Sequence, residues 1–245
     1  MADAKLPPAV YADIEGLDAA AVGFERPDCC GGTLPPDLPG SFAPLTMHVF
    51  LATEVPAAQW TKNSENIPGF AALSEKMKGA DATRVTAFYR EGADTMSLVF
   101  TLDPALNMVK ALQFSGGTPG DIPWESPGVL TVDRSEDRFI FVCAHRQKDG
   151  RCGYCGPILV EHLRQEITKA AGATAPLQVF PCNHIGGHVY AGNVLVISKH
   201  QAVCFGCVKP ADVPTVVRFA LGHKDAEVPG ELASRVRGRM GTKKA

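Results

Sequence analysis

The sequence predicts a chain of mixed α+β and α/β class, organised as two consecutive halves that each combine strands with helices. Short apolar runs typical of strands alternate with segments of helical apolar spacing. A cluster of Gly and Pro at 115–128 separates the halves. The length of 245 residues suits one large domain or two small ones. We therefore expect a smaller α/β domain at 44–125 and a second domain at 126–225, which can pack together as one unit.

The first half is predicted to begin irregularly and to continue as strands around one helix. Residues 1–43 are rich in Pro, Gly and Ala, and they include the adjacent Cys29 and Cys30. We expect this segment to be irregular and these two cysteines to have no role in a site. Apolar spacing and a nearby Gly predict a helix at 67–80. Strands are predicted at 46–53, 84–90, 95–101 and 108–114.

The second half follows the pattern β-α-β-β-β-α. Its first helix is predicted at 156–172, because Pro157 suits a first turn and Gly172 suits a helix end. A second helix is predicted at 211–222. Strands are predicted at 138–145, 175–184, 193–200 and 202–208. A strand and a helix followed by a hairpin and a helix is the outline of a small thioredoxin-like domain. Residues 226–245 are basic and are predicted to form a solvated tail.

Charge and hydropathy argue against two kinds of partner. The net charge of −2 does not suggest a broad surface for nucleic acid. No apolar run approaches the roughly 18 residues that a membrane span needs. The N-terminus carries Asp and Glu and lacks an apolar core segment, which argues against a secretory signal or a transit peptide. We therefore expect a cytoplasmic protein, in which cysteine clusters more often serve metal or redox chemistry than disulfides.

The segment FVCAHRQKDGRCGYCGP, at 141–157, holds three of the eight cysteines. Cys143 lies at the end of a predicted strand, and Cys152 lies just before a predicted helix. The polar loop between them can fold back and bring both sulfurs to one ion. His145 is close to Cys143, but we expect it to have a structural role in the loop.

The segment PCNHIGGHVYAGN, at 181–193, also begins at a predicted strand end. His184 and His188 have three residues between them, a spacing that would suit one face of a helix. The glycine pair inside that spacing favours a loop instead, and it lets the backbone approach a bulky group closely. We expect this segment to meet the first one at one edge of the sheet, with Cys182 buried beside the site.

Four interpretations of these residues remain open from their chemistry. Two thiolates and two imidazoles suit zinc, and they equally suit a [2Fe–2S] cluster with two nitrogen ligands. Structural zinc sites usually have sulfurs two to four residues apart, so the loop is long for them. The third interpretation is thiol–disulfide exchange by Cys152 and Cys155, a C-x-x-C pair before a helix. The fourth is that all are structural, as we expect for Cys204 and Cys207 in a strand-like run.

The two segments resemble the sucrase/ferredoxin-like family. Its pattern is a cysteine, a polar loop, Cys-Gly near Gly-Pro, and then His-x-Gly-Gly-His-x-x-Ala-Gly-Asn. The likeness covers about residues 45–215, including a fainter match at MHVFLATEVPAAQW. The resemblance implies a C-terminal thioredoxin-like ferredoxin domain with a [2Fe–2S] cluster held by Cys143, Cys152, His184 and His188. This chain departs from the pattern at Cys155 and at 204–208, where the family has no cysteine and an aromatic-rich strand, respectively.

On this basis we predict an electron-transfer protein. It would accept one electron from a reductase and pass it to a partner protein, so that we expect a carrier rather than a catalyst with its own substrate. The alternatives are a thioredoxin-like oxidoreductase and a zinc-stabilised binding module. A glycosidase needs two placed carboxylates. No such pair can be singled out in this sequence, so the first half of the family's name has no support.

Overall fold

The computed structural model describes residues 6–17, 34–92, 95–172, 176–222 and 227–241. Its ten strands are β1 Met47–Thr53, β2 Thr83–Tyr89, β3 Met96–Asp103, β4 Met108–Ser115, β5 Leu130–Asp133, β6 Arg138–Cys143, β7 Leu177–Cys182, β8 Val194–Ser198, β9 Gln201–Phe205 and β10 Val236–Arg239. The helices of these ranges are α1 Pro8–Ile14, α2 Phe70–Lys76, α3 Gly150–Ala171, α4 Val213–Leu221 and α5 Gly230–Ala233. All ten strands join one mixed sheet in the order β10-β9-β8-β6-β7-β2-β1-β3-β4-β5.

The two halves of the sheet repeat one arrangement. In the first half, β1 pairs in parallel with β2 and antiparallel with β3, and β4 and β5 follow antiparallel. In the second half, β6 pairs in parallel with β7 and antiparallel with β8, and β9 and β10 follow antiparallel. Each parallel pair is connected through a helix, α2 or α3, as parallel strands require. The halves meet where Phe88 of β2 faces Cys182 of β7.

A cluster of phenylalanine side chains packs between the halves. The ring of Phe50 on β1 stacks on Phe141 of β6 with centroids 3.8 Å apart, although two strands separate β1 from β6 in the sheet. Phe88 and Phe100 meet Phe141 edge-on. The sheet therefore folds over, and the halves share one apolar interior. Burying each such side chain contributes about 1.5–3 kcal/mol.

The α+β class is confirmed, and each predicted strand overlaps an observed one. The domain boundaries at 125 and 225 stay a prediction. Cys29 and Cys30 fall outside the described residues. Within the described ranges, no helix combines the length and the apolarity that a membrane crossing needs.

Three local expectations are wrong. Residues 8–14, expected to be irregular, form α1, whose first turn contains Pro8. The expected solvated tail contains α5 and the edge strand β10, because β10 pairs with β9 and the apolar side chains of Leu232 and Met240 are buried. The helix predicted to begin at 156 begins at Gly150, because the Asp149 side chain accepts a hydrogen bond from the Arg151 backbone N–H at 2.9 Å and caps the first turn.

Candidate metal centre

Cys143 is the last residue of β6, and backbone hydrogen bonds fix it from both sides. Its N–H donates to the carbonyl of Asn193 at 3.0 Å. The next residue, Ala144, donates to the carbonyl of Cys182 at 3.0 Å. Cys143 faces Cys182 in the parallel register of β6 and β7, and both are fully buried. The sequence expectation that Cys182 lies buried beside the site agrees with this position.

Cys152 is reached from Cys143 through a loop that ends in the first turn of α3. It is fully buried, and it lies inside the helix rather than before it. Two glycines let the helix pass close to the strand end. A Cβ on Gly156 would lie 2.5 Å from the carbonyl oxygen of Cys143, and one on Gly153 would lie 2.5 Å from the Cα of Arg146. Any larger residue at either position would push the helix away from the strand end.

The residues between the two histidines form a loop after β7, as the glycine pair predicts, and His188 begins a short 3-10 helix, His188–Tyr190. Gly186 and Gly187 have φ values of 85° and 66°, in the left-handed region that favours glycine. His184 is half-buried and His188 is exposed. Their ring centroids are 5.7 Å apart. One imidazole therefore faces inward, and its neighbour lies toward solvent.

Three of the four predicted ligands come together. The Sγ of Cys143 lies 3.9 Å from Nδ1 of His184. The ligand atoms of Cys143, Cys152 and His184 all lie within 4.8 Å of one another, so this group could hold a metal. His188 is outside this triangle and is placed beside it by the contact between the two rings. The four-residue ligand set stays a prediction.

The electrostatics of the two cysteines favour a thiolate on Cys143. A hydrogen bond from Cys152 is the main cause that holds the pKa of Cys143 well below its ordinary value, and His184 adds to it against the opposing effect of burial. The same hydrogen bond, together with burial, raises the pKa of Cys152. Thiolates bind metals and thiols do not, so the lowered pKa of Cys143 favours the form that a metal ligand needs.

The other described cysteines are buried and are not in disulfides. Cys155 lies one turn after Cys152 on α3 and is not part of the three-residue group. Burial raises the pKa of Cys182 well above its ordinary value and that of Cys204 to about 11. Cys204 and Cys207 are fully buried, in agreement with their interpretation as small apolar residues.

His145 has the structural role that the sequence suggests. Its Nε2 lies 2.7 Å from the carbonyl oxygen of Thr61, and its ring meets Trp60 edge-on with centroids 5.7 Å apart. These contacts join the cysteine loop to the first half of the chain. Its Nδ1 is buried without a partner in the described part of the chain.

Sequence reasoning missed the side chains that hold the histidine loop. The carbonyls of the three residues between His184 and His188 accept hydrogen bonds from Arg84, Arg237 and Asn193. Arg84 lies on β2 and Arg237 on β10, so neither is near the loop in sequence. Asn193 is part of the family pattern, the alternation in the RVRGR run is compatible with a strand around Arg237, and no sequence signal pointed to Arg84.

Comparison with known proteins gives a consistent result. The sucrase/ferredoxin-like family model matches residues 38–234. Altered inheritance of mitochondria protein 32 of Clavispora lusitaniae is 40% identical over 95 residues, which are 38% of this chain and 34% of that protein. The protein of the same name from Meyerozyma guilliermondii is 35% identical over 82 residues, or 33% and 29% of the two chains.

Actin patches distal protein 1 of Saccharomyces cerevisiae is 25% identical over 103 residues, which are 38% of this chain and 33% of that protein. Each match thus spans about a third of the relative's length. No solved structure matches the chain. Because the family model matches most of the chain, the resemblance of the two motif segments is confirmed: the chain belongs to the sucrase/ferredoxin-like family.

Proposed function

We propose that this chain is an electron-transfer protein that carries a [2Fe–2S] cluster on Cys143, Cys152, His184 and His188. The observation that carries the proposal is the grouping of two buried cysteines with one histidine within 4.8 Å, next to a second histidine. The group lies in a chain of the ferredoxin-like family.

The donor set fits this cofactor. Two sulfur donors and two nitrogen donors are the ligands of a [2Fe–2S] centre with mixed ligation. The sulfur donors are fully buried, and the nitrogen donors are half-buried and exposed. When bound, the cluster would supply reversible uptake of one electron.

The residues of the chain would bind this group and control access to it. Cys143 and Cys152 would bind as thiolates in a region closed to water, which protects their sulfurs from oxidation. His188, on the exposed side, would bring the redox centre near the surface. A carrier of this kind needs only a short path to a reductase and to an acceptor protein, and we propose that it meets both in the cytoplasm.

A second candidate is a zinc-stabilised module. It is favoured by the compactness of the Cys143, Cys152 and His184 group, since three donors within 4.8 Å also suit a single ion. The oxidoreductase alternative is less favoured. Cys152 and Cys155 are both buried, and the raised pKa of Cys152 disfavours an attacking thiolate.

Analysis of the purified full-length chain separates these candidates. We expect iron and acid-labile sulfide in equal amounts, a reddish visible spectrum and a paramagnetic signal after reduction with dithionite. A colourless protein with one zinc per chain would instead establish the binding module. A colourless, metal-free protein that reduces insulin disulfides, and loses this activity in Cys155→Ser, would establish the oxidoreductase.

A further inference from the structure

The loop between the two histidines is held by its carbonyl groups. Three consecutive carbonyls each accept a side-chain hydrogen bond, two from arginines on distant strands and one from Asn193 at the end of the same segment. The pairs are Ile185 with Arg84, Gly186 with Arg237, and Gly187 with Asn193. Such a loop has its backbone orientation set from outside, so the directions of both imidazoles depend on these side chains.

Arg237 is the centre of this arrangement. Its Nη1 donates to Gly186 O at 3.0 Å and to Asn193 Oδ1 at 2.8 Å. Its Nε and Nη2 donate to the side chain and the carbonyl of Ser41 at 3.0 and 3.1 Å. Its guanidinium also lies 5.0 Å from the centre of the Tyr190 ring. The side chain is only 1% exposed, so water does not replace these partners.

Gly187 also leaves room for the guanidinium of Arg237. A Cβ on Gly187 would lie 2.2 Å from Nη2 of Arg237, so the guanidinium occupies the space that a larger residue would take. The loop and the arginine are therefore packed against each other as well as hydrogen-bonded. Residue 187 must be glycine both for its φ of 66° and for this contact.

No carboxylate of the described residues forms an ion pair with either arginine. Among the described residues, Arg84 and Arg237 form hydrogen bonds to carbonyls, to Ser41 and Asn193, and a weak contact to a thiol, but no ion pair. That thiol, Cys204, has a pKa of about 11 and is uncharged near neutral pH. Two cations in contact with the histidine loop lower the energy of negative charge added near that loop.

We propose that Arg84 and Arg237 are positioning residues that orient the loop carrying His184 and His188 and favour the state of the site with one more negative charge. The second statement rests on the proposed electron-transfer function, because one-electron reduction adds that charge. The electron comes from the donor protein, or from an electrode in the test. The first statement concerns the loop itself and does not depend on the cofactor.

The test uses the full chain with Arg237→Gln, Arg237→Lys and Arg84→Gln. Arg138→Gln is the matched control, because Arg138 also donates to a distant carbonyl, that of Leu221, but lies at the opposite end of β6 from Cys143. Amide hydrogen exchange over 184–193 measures the loop. We expect about tenfold faster exchange in Arg237→Gln, a smaller increase in Arg84→Gln, which loses a single bond, and no change in the control.

Protein-film voltammetry then measures the effect of the charge. We expect a lower reduction potential in both Gln variants and a potential close to the unmutated value in Arg237→Lys. The Lys variant should still show faster loop exchange, since an ammonium cannot reproduce the fork of a guanidinium. A general loss of stability would not give faster loop exchange together with an unchanged reduction potential in Arg237→Lys.

Unchanged loop exchange in both Gln variants would overturn the positioning role. Unchanged potentials would overturn the electrostatic role. If Arg237→Gln does not fold, Arg84→Gln decides both, because Arg84 is only partly buried. A chain without iron whose loop exchange still rises in the variants would count against the proposed function and would leave the positioning role supported.

Discussion

The two halves of the sheet have the same strand order and directions, yet all four candidate metal ligands lie in the second half. The last residue pair between β6 and β7 is Cys143 with Cys182. The corresponding last pair between β1 and β2 is Thr53 with Tyr89. The arrangement of strands thus provides two similar edges, and the residues at the strand ends determine which edge can bind a metal.

The first half supplies contacts that hold the loops of the candidate site, and it supplies none of the site's four candidate ligands. Thr61 and Trp60, in the connection after β1, hold the ring of His145 next to the cysteine loop. Arg84, on β2, holds the carbonyl of Ile185 in the histidine loop. The connecting helices differ as well, since α3 has 22 residues and α2 has 7. This comparison teaches that one half provides the candidate ligands and the other provides contacts that hold their loops in place.

The largest expected effect is loss of the cofactor on changing a thiolate in the second half. Cys143→Ser or Cys152→Ser should abolish bound iron and the visible spectrum, because a serine oxygen is a poor replacement for a soft thiolate. Cys155→Ser, on the same helix and equally buried, is the control and should keep both. Loss of iron in Cys155→Ser with retention in Cys143→Ser would show that the ligand assignment is wrong.

The next prediction tests whether the two halves of the chain unfold as one cooperative unit. Phe50→Ala should destabilise the protein by about 3–5 kcal/mol, because it removes a ring that stacks on Phe141 across the two halves. Urea unfolding followed by tryptophan fluorescence and by the visible spectrum should give coincident transitions. Phe114→Ala is the control. Phe114 lies in a separate apolar cluster of the first half, so the cavity left there would not touch the second half. Two separate transitions in the unmutated protein would contradict a shared core.

A smaller effect is expected where α3 passes the end of β6. Gly156→Ala should cost about 1–3 kcal/mol, because the new Cβ would lie 2.5 Å from the carbonyl oxygen of Cys143. It should also weaken iron retention, since the clash moves Cys152 relative to Cys143. Gly230→Ala is the matched control, because a Cβ there meets nothing within 4 Å. Equal stability of the two variants by urea titration would refute the close-packing argument.

The smallest effect concerns the exposed histidine. His188→Cys, if the cluster still assembles, should lower the reduction potential toward the roughly −400 mV of plant-type ferredoxins, because a thiolate adds negative charge where the imidazole is neutral. His162→Cys on α3 is the control, since ten residues of helix place it about 15 Å from Cys152. Film voltammetry measures both, and an unchanged potential in His188→Cys would exclude His188 as a ligand.

Much of the local structure follows from the sequence because it depends on neighbours in the chain. Alternating and continuous apolar runs indicate eight of the ten strands, and the glycine pair correctly predicts a loop between the histidines. The start of α3 is also encoded locally, in the cap formed by Asp149, although Pro157 favours a later first turn. The candidate ligands were singled out by residue type and by position at strand ends, which is again local information.

Only the tertiary structure decides how these pieces come together. The fold of the sheet that stacks Phe50 on Phe141, the burial of Arg237 and the grouping of Cys143 and Cys152 with His184 all join residues distant in the chain. The bond from Arg84 to Ile185 spans 101 residues. No local pattern specifies such a contact, because the residues around an arginine in the chain do not reveal whether its side chain is buried or exposed. The difference lies in whether distant carbonyls and aromatic rings converge on the guanidinium and replace its water.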